Sequence, residues 1–187
     1  MCIRDRNTRY VIYNPEQQPL KNPYAFGNAW FVDKLDMVDN ADAEIEALNT
    51  IDPLETAVVD KRFQKELEGF VPQKDSTATI VLEEYRPNRL TYKSKADKEQ
   101  LAVFSEVYYQ PGWKATVDGK EVPHFRADWI LRGMRVPAGE HTIVFEFRPS
   151  GYVTAAYVSS YSSFLILLLL IAAIGWSGWK YWKKSKN

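Results

Sequence analysis

The sequence predicts a mainly β protein: an antiparallel β-sandwich lying outside the cytoplasm, with one or two short helices, followed by one C-terminal transmembrane α-helix. Three observations carry this expectation. Between Thr77 and Phe147, short alternating runs are separated by turn residues every eight to twelve positions, the spacing of sandwich strands. Asp118-Gly119 lies between two such runs and is a strong hairpin signal, because a type I′ turn needs positive φ at both central residues. Finally, no charge occurs from Tyr152 to Trp179, and Phe164 to Ile174 is unbroken hydrocarbon. A bilayer core about 30 Å thick needs roughly 20 such residues as a helix.

The expected organisation follows. Residues 1–8, opening MCIRDR, resemble translated adapter sequence and are set aside; 9–150 form the β-rich domain, 157–179 the span and 180–187 a basic tail. Tyr157 and Tyr161 at one edge, and Trp176, Trp179, Tyr181 and Trp182 at the other, suit the two headgroup layers. Lys180, Lys183, Lys184 and Lys186 follow the span without an acid, which predicts a cytoplasmic C-terminus and a domain outside. The first residues contain no apolar signal region. Export is therefore expected to depend on earlier spans of a longer protein; a tail-anchored chain is the alternative.

Within the domain, Arg9 to Tyr13 reads as a first strand, ended by Asn14-Pro15 and Pro19. Ala29 to Val32 is a strand that could extend to Met37. Asn40 to Ile51 is the clearest soluble helix: Asn40 can cap it, Asp42 and Glu44 suit its first turn, and Asp52-Pro53 stops it. Ala41, Ile45 and Leu48 form its apolar face. Thr56 to Val59 is β-branched, and Phe63, Leu67 and Phe70 are spaced for a second short helix ending at Gly69. Strands follow at Thr77 to Tyr85, Arg89 to Ser94 and Leu101 to Tyr109, the last with alternate residues from Leu101 on one face. Trp113 to Val117 and Lys120 to Val122 flank the Asp-Gly turn. Ala127 to Arg132, Arg135 to Val136 and Glu140 to Phe147 complete the set.

Composition narrows the chemistry. Lysine plus arginine equals aspartate plus glutamate at 24 each in 187 residues, so no global field points to nucleic acid. Cys2 is the single cysteine, and no disulfide can close within the chain. His124 and His141 are the only histidines, and no metal-ligand spacing, phosphate loop or nucleophile elbow occurs. No metal, cofactor or catalytic residue is expected in this stretch. Glu83 and Glu84 should point to opposite faces of a strand, so they cannot cooperate as acid and base. His141 reads as a structural hydrogen-bonding group and Asp118 as a turn residue.

One mixed cluster remains between Tyr108 and Arg132. Trp129, Asp128, Arg126 and Tyr109 are the candidates for stacking on a sugar ring and holding its hydroxyls. Trp113 is read as core; Trp129, beside Asp128, fits either role.

The run Phe104 to Tyr152, FSEVYYQPGWKATVDGKEVPHFRADWILRGMRVPAGEHTIVFEFRPSGY, resembles the C-terminal region of the bacterial YfhO family of multi-pass membrane proteins. Its matching pieces are Ser105-Glu106, the tyrosine pair before Pro111-Gly112-Trp113, Asp118-Gly119-Lys120, Arg126 to Arg132, and Pro137 to His141, ahead of a final span. GNAWFV at Gly27 to Val32 and the DAEIEALN helix are also similar to that family. The resemblance implies a glycosyltransferase-like protein of the bacterial plasma membrane that uses a lipid-linked sugar donor on cell-envelope glycopolymers such as teichoic acids. It implies that the acidic catalytic residue lies in an early outer loop, outside these residues. The implied partners are membrane lipid and an envelope glycan or polyprenyl-phosphate sugar. A membrane-anchored carbohydrate-binding or structural assembly module without catalysis is the competing reading.

Overall fold

The computed structural model describes residues 7–185. The chain divides into two compact units, Met1–Phe147 and Arg148–Asn187.

The first unit opens with a small antiparallel hairpin, β1 (Tyr10–Val11) and β2 (Leu20–Lys21). Next come β3 (Ala29–Val32), β4 (Lys34–Val38), α1 (Ala41–Ala47), β5 (Thr56–Asp60) and a 3₁₀ helix, Lys61–Leu67. The remaining strands are β6 (Thr79–Arg86), β7 (Arg89–Ala96), β8 (Gln100–Val107), β9 (Trp113–Val117), β10 (Lys120–Val122), β11 (Phe125–Ala127), β12 (Leu131–Val136) and β13 (Gly139–Phe147). They form a five-stranded antiparallel sheet, β10-β9-β13-β7-β6, and a four-stranded one, β11-β12-β8-β3.

The two sheets bury one apolar core between them. Leu90, Tyr92, Ala115, Val117, Ile143 and Phe145 of the first sheet meet Ala102, Phe104, Met134 and Val136 of the second. Tyr92, Phe104 and Phe145 pack edge to face, with centroids 4.9 to 6.2 Å apart. This is the expected sandwich.

A third layer covers the outer face of the four-stranded sheet. Trp30, Val32, Leu101, Val103 and Phe125 there meet Ala57 and Val59 of β5, with Leu67 and Phe70 from the 3₁₀ segment and its exit. This layer explains a departure from expectation. Gln100 to Phe104 are buried without interruption, because β8 is covered on both faces, so simple alternation fails there.

Other local readings are corrected as well. The strand beginning at Ala29 stops at Val32, and β4 pairs with β5 in parallel, a separate two-stranded sheet. The amides of Asp33 and Lys34 both bond to Glu55 O, which fixes the break. The helix begins as expected, with the Asn40 side chain accepting from Ala43 N, but it ends at Ala47. The Thr50 N–H and hydroxyl both turn back to Ala47 O. The second helix is 3₁₀, capped by Asp60. Ala127 to Arg132 is no continuous strand: Asp128 to Ile130 is a loop between β11 and β12. Glu83 is the residue skipped by the register shift in the β6–β7 pairing, so simple alternation does not describe the pair Glu83-Glu84.

The second unit is α2, Ser150–Ser185, about 54 Å long at 1.5 Å per residue. Its stretch Thr154–Lys183 is long and apolar enough to cross a membrane, and none of it is buried in protein. Trp176 and Trp179 meet at 5.7 Å, with the Lys180 ammonium 5.7 Å from the Trp176 ring and that of Lys183 5.8 Å from Trp179. Amphipathic rings beside lysine stems are what a membrane boundary favours.

Candidate functional site

Strand β11 and the loop that follows it carry three of the four residues singled out above, Arg126 on the strand and Asp128 and Trp129 in the loop. The loop's closing pair is Ala127 opposite Leu131, which leaves Asp128, Trp129 and Ile130 to turn the chain. Asp128 and Trp129 both lie in the left-handed region, at φ 50° and 70°. A short polar Asp tolerates that conformation, whereas Trp does so at a cost of order 1–3 kcal/mol.

Buried hydrogen bonds hold the strained pair. Asp128 N–H donates to Val58 O at 2.8 Å, and the Asp128 carboxylate accepts from Val58 N at 2.8 Å, so loop and β5 exchange bonds. Trp129 N–H donates to Glu44 Oε1 at 2.9 Å, and Arg126 Nη2 reaches Glu44 Oε2 at 2.6 Å. The same guanidinium nitrogen lies 3.6 Å from Asp60 Oδ2, and Asp60 is further bound by Arg62 Nε at 2.8 Å. Glu44 is wholly buried, with Asp60 and Asp128 at 3% and 1% exposure.

These acids differ in proton affinity. Burial pushes the Glu44 carboxyl up, with the Trp129 amide and Arg126 pulling the other way. Asp60 is held below its ordinary value, first by the hydrogen bond from the Arg62 side chain. Their shared task is mechanical. They tie α1 and β5 to the β11–β12 loop and fix the backbone from which the partly exposed Trp129 side chain projects.

The four predicted contacts therefore separate. Arg126 and Asp128 are turned inward onto protein partners, and Asp128 offers almost no surface to solvent. Trp129 is partly exposed. Tyr109 lies beyond the end of β8, is 54% exposed, and takes no part in the bonds described. Asp60 and Arg62 were not singled out from the sequence, and Glu44 was read only as a first-turn acid of the helix; its place three residues after Ala41 and four before Leu48, on the apolar side of α1, was the signal of its burial.

A second polar cluster lies inside the sandwich. Arg132 is 2% exposed, donates from Nε to Val107 O at 3.0 Å, and stacks 4.1 Å from the Trp113 centroid and 5.2 Å from that of Phe145. Trp113 is thus packed against the sandwich core, as expected. Burial, aided by Arg132, pushes the His124 imidazole down to about 4, and burial raises the Glu106 carboxyl. Tyr92 Oη, His124 Nε2 and Arg132 Nη1 are buried without a protein hydrogen-bond partner. They are closed off from solvent, which suits a core constraint better than a binding surface.

His141 is engaged at both ring nitrogens, with Asp118 Oδ2 at 2.6 Å and Ala138 O at 3.0 Å. Among the described residues, no group of three or more His, Cys, Asp and Glu side chains is placed to hold a metal ion.

No curated protein and no solved structure matches the chain. The model of one family, described as bacterial membrane protein YfhO, matches residues 60–159. That stretch is just over half of the 187 residues and covers every strand from β6 to β13, together with the start of the apolar helix. With a β-sandwich followed by a helix able to cross a bilayer, the chain belongs to the YfhO family of bacterial membrane proteins.

Proposed function

We propose that this chain is an outer, non-catalytic domain and a membrane span of a multi-pass glycosyltransferase-like protein that acts on cell-envelope glycopolymers with a lipid-linked sugar donor. Family membership is the observation that carries the reading. In it, residues outside this stretch transfer sugar from a polyprenyl-phosphate carrier, and the sandwich engages the glycan. The lysines that follow Trp179 are cytoplasmic and the sandwich is extracytoplasmic, in line with the one-sided distribution of those lysines.

Trp129 is the contact assigned to the glycan. A tryptophan on a loop fixed by buried acids offers a ring whose position costs little to order when a sugar stacks on it. The test is retention of the full-length membrane protein on immobilised envelope glycopolymer. Trp129→Ala should lose retention at least tenfold with an unchanged unfolding midpoint. Unchanged retention removes the glycan contact. A reporter fused after Asn187 that is active only outside the cytoplasm removes the topology.

A further inference from the structure

The hairpin β1–β2 exposes more hydrocarbon than its size explains. Tyr10, Ile12, Tyr13 and Leu20 are 60 to 78% exposed, and Tyr24 just beyond is 66% exposed. Tyr10, Ile12, Tyr13 and Leu20 belong to neither core cluster. Two-residue strands are not stable by themselves in water, so this element needs something to lean on.

The pairing says what kind of surface that is. Tyr10 faces Lys21 and Val11 faces Leu20, and successive side chains point to opposite faces. Both faces therefore carry apolar groups. Docking onto a folded protein covers one face and leaves the other in water, whereas the headgroup–acyl boundary of a bilayer surrounds both. Tyrosine favours that boundary. Among residues 7–26, Arg9 and Lys21 outnumber Glu16, a balance that suits anionic phospholipid. The tip is a polar turn, with Asn14 accepting from Glu16 N at 3.0 Å and Gln17 N at 3.1 Å. Such a tip favours lying within the headgroup layer over piercing it.

We propose that the β1–β2 hairpin is a lipid-contacting element that rests in the anionic headgroup layer of the membrane through Tyr10, Ile12, Tyr13 and Leu20. This does not depend on the glycan reading; it requires only that the chain be a membrane protein.

The test uses the full chain, with Cys2→Ser, reconstituted in vesicles of phosphatidylcholine with or without phosphatidylglycerol. An environment-sensitive fluorophore is attached after Ile12→Cys, with Phe164→Cys as a reference in α2 and Val81→Cys as a reference on the exposed strand β6. Acyl-chain-brominated lipid should quench the label at position 12 less than that at 164 and well above that at 81. Phosphatidylglycerol should deepen the quenching, and Arg9→Glu with Lys21→Glu should reverse that gain. The proposal is overturned if the label at 12 matches the one at 81. It is equally overturned if the label is shielded from both bromolipid and aqueous iodide, which would mean that protein covers it. Quenching indifferent to headgroup charge removes the role of Arg9 and Lys21.

Discussion

Glu44 is the residue on which the third layer turns. Its carboxylate receives both Arg126 and the amide of Trp129 inside a volume closed to water. Deleting one member of such a pair strands the other charge, typically at 3–5 kcal/mol. Glu44→Ala should therefore lower chemical-denaturation stability by about that much, and Glu44→Gln, which keeps an acceptor for the amide, should lose less. His124 sets a pH dependence. Its folded-state value of about 4 lies below the ordinary 6.5, so the unfolded chain binds the extra proton first. Stability should fall as pH drops from about 6.5 towards 4, by of order 2 kcal/mol. His124→Gln should flatten that slope in unfolding midpoints measured across the window. Glu44 acts with the opposite sign: its raised carboxyl favours the folded state at low pH, and that advantage is lost as pH rises.

Elements were legible where one face is wet. Strand β13 buries Ile143 and Phe145, and the Asp118-Gly119 turn has φ values of 50° and 81° at its two residues. Both follow from spacing and turn chemistry that a sequence displays directly. Strand β8 was harder, because burial on two faces erases the alternation. The parallel β4–β5 pair depends on a contact between distant segments, and the loop at Asp128 has no Gly or Asn to announce its left-handed backbone. The candidate site was legible to the same degree. Arg126, Asp128 and Trp129 are consecutive in outline, but their partners Glu44 and Asp60 come from elements more than 60 residues earlier. The β11–β12 pairing also sets a packing limit. A Cβ added to Gly133 would stand 2.4 Å from the Phe125 ring. Gly133→Ala should thus cost roughly 1–3 kcal/mol, seen as a lowered thermal midpoint, and Phe125→Leu should partly restore it.

At the scale of the molecule, two solvents have shaped one chain. The three layers of the first unit enclose two apolar clusters, while α2 displays Phe164 to Ile174 outward. The helix was read from sequence because an uncharged run of that length has few other uses. A charge at its middle should be strongly disfavoured. Leu168→Arg should reduce membrane insertion by an apparent ~3–4 kcal/mol, measured as the inserted fraction in a glycosylation-mapping assay.

The double covering of β8 also has a temporal side. Ala57 and Val59 leave the ribosome more than 40 residues ahead of Leu101 and Val103, the side chains they finally pack against. Until β8 emerges, the early third of the domain has no surface to close on. Nascent chains arrested before Gln100 should be open to protease throughout residues 29–60, and should become resistant together once β12 has cleared the exit tunnel.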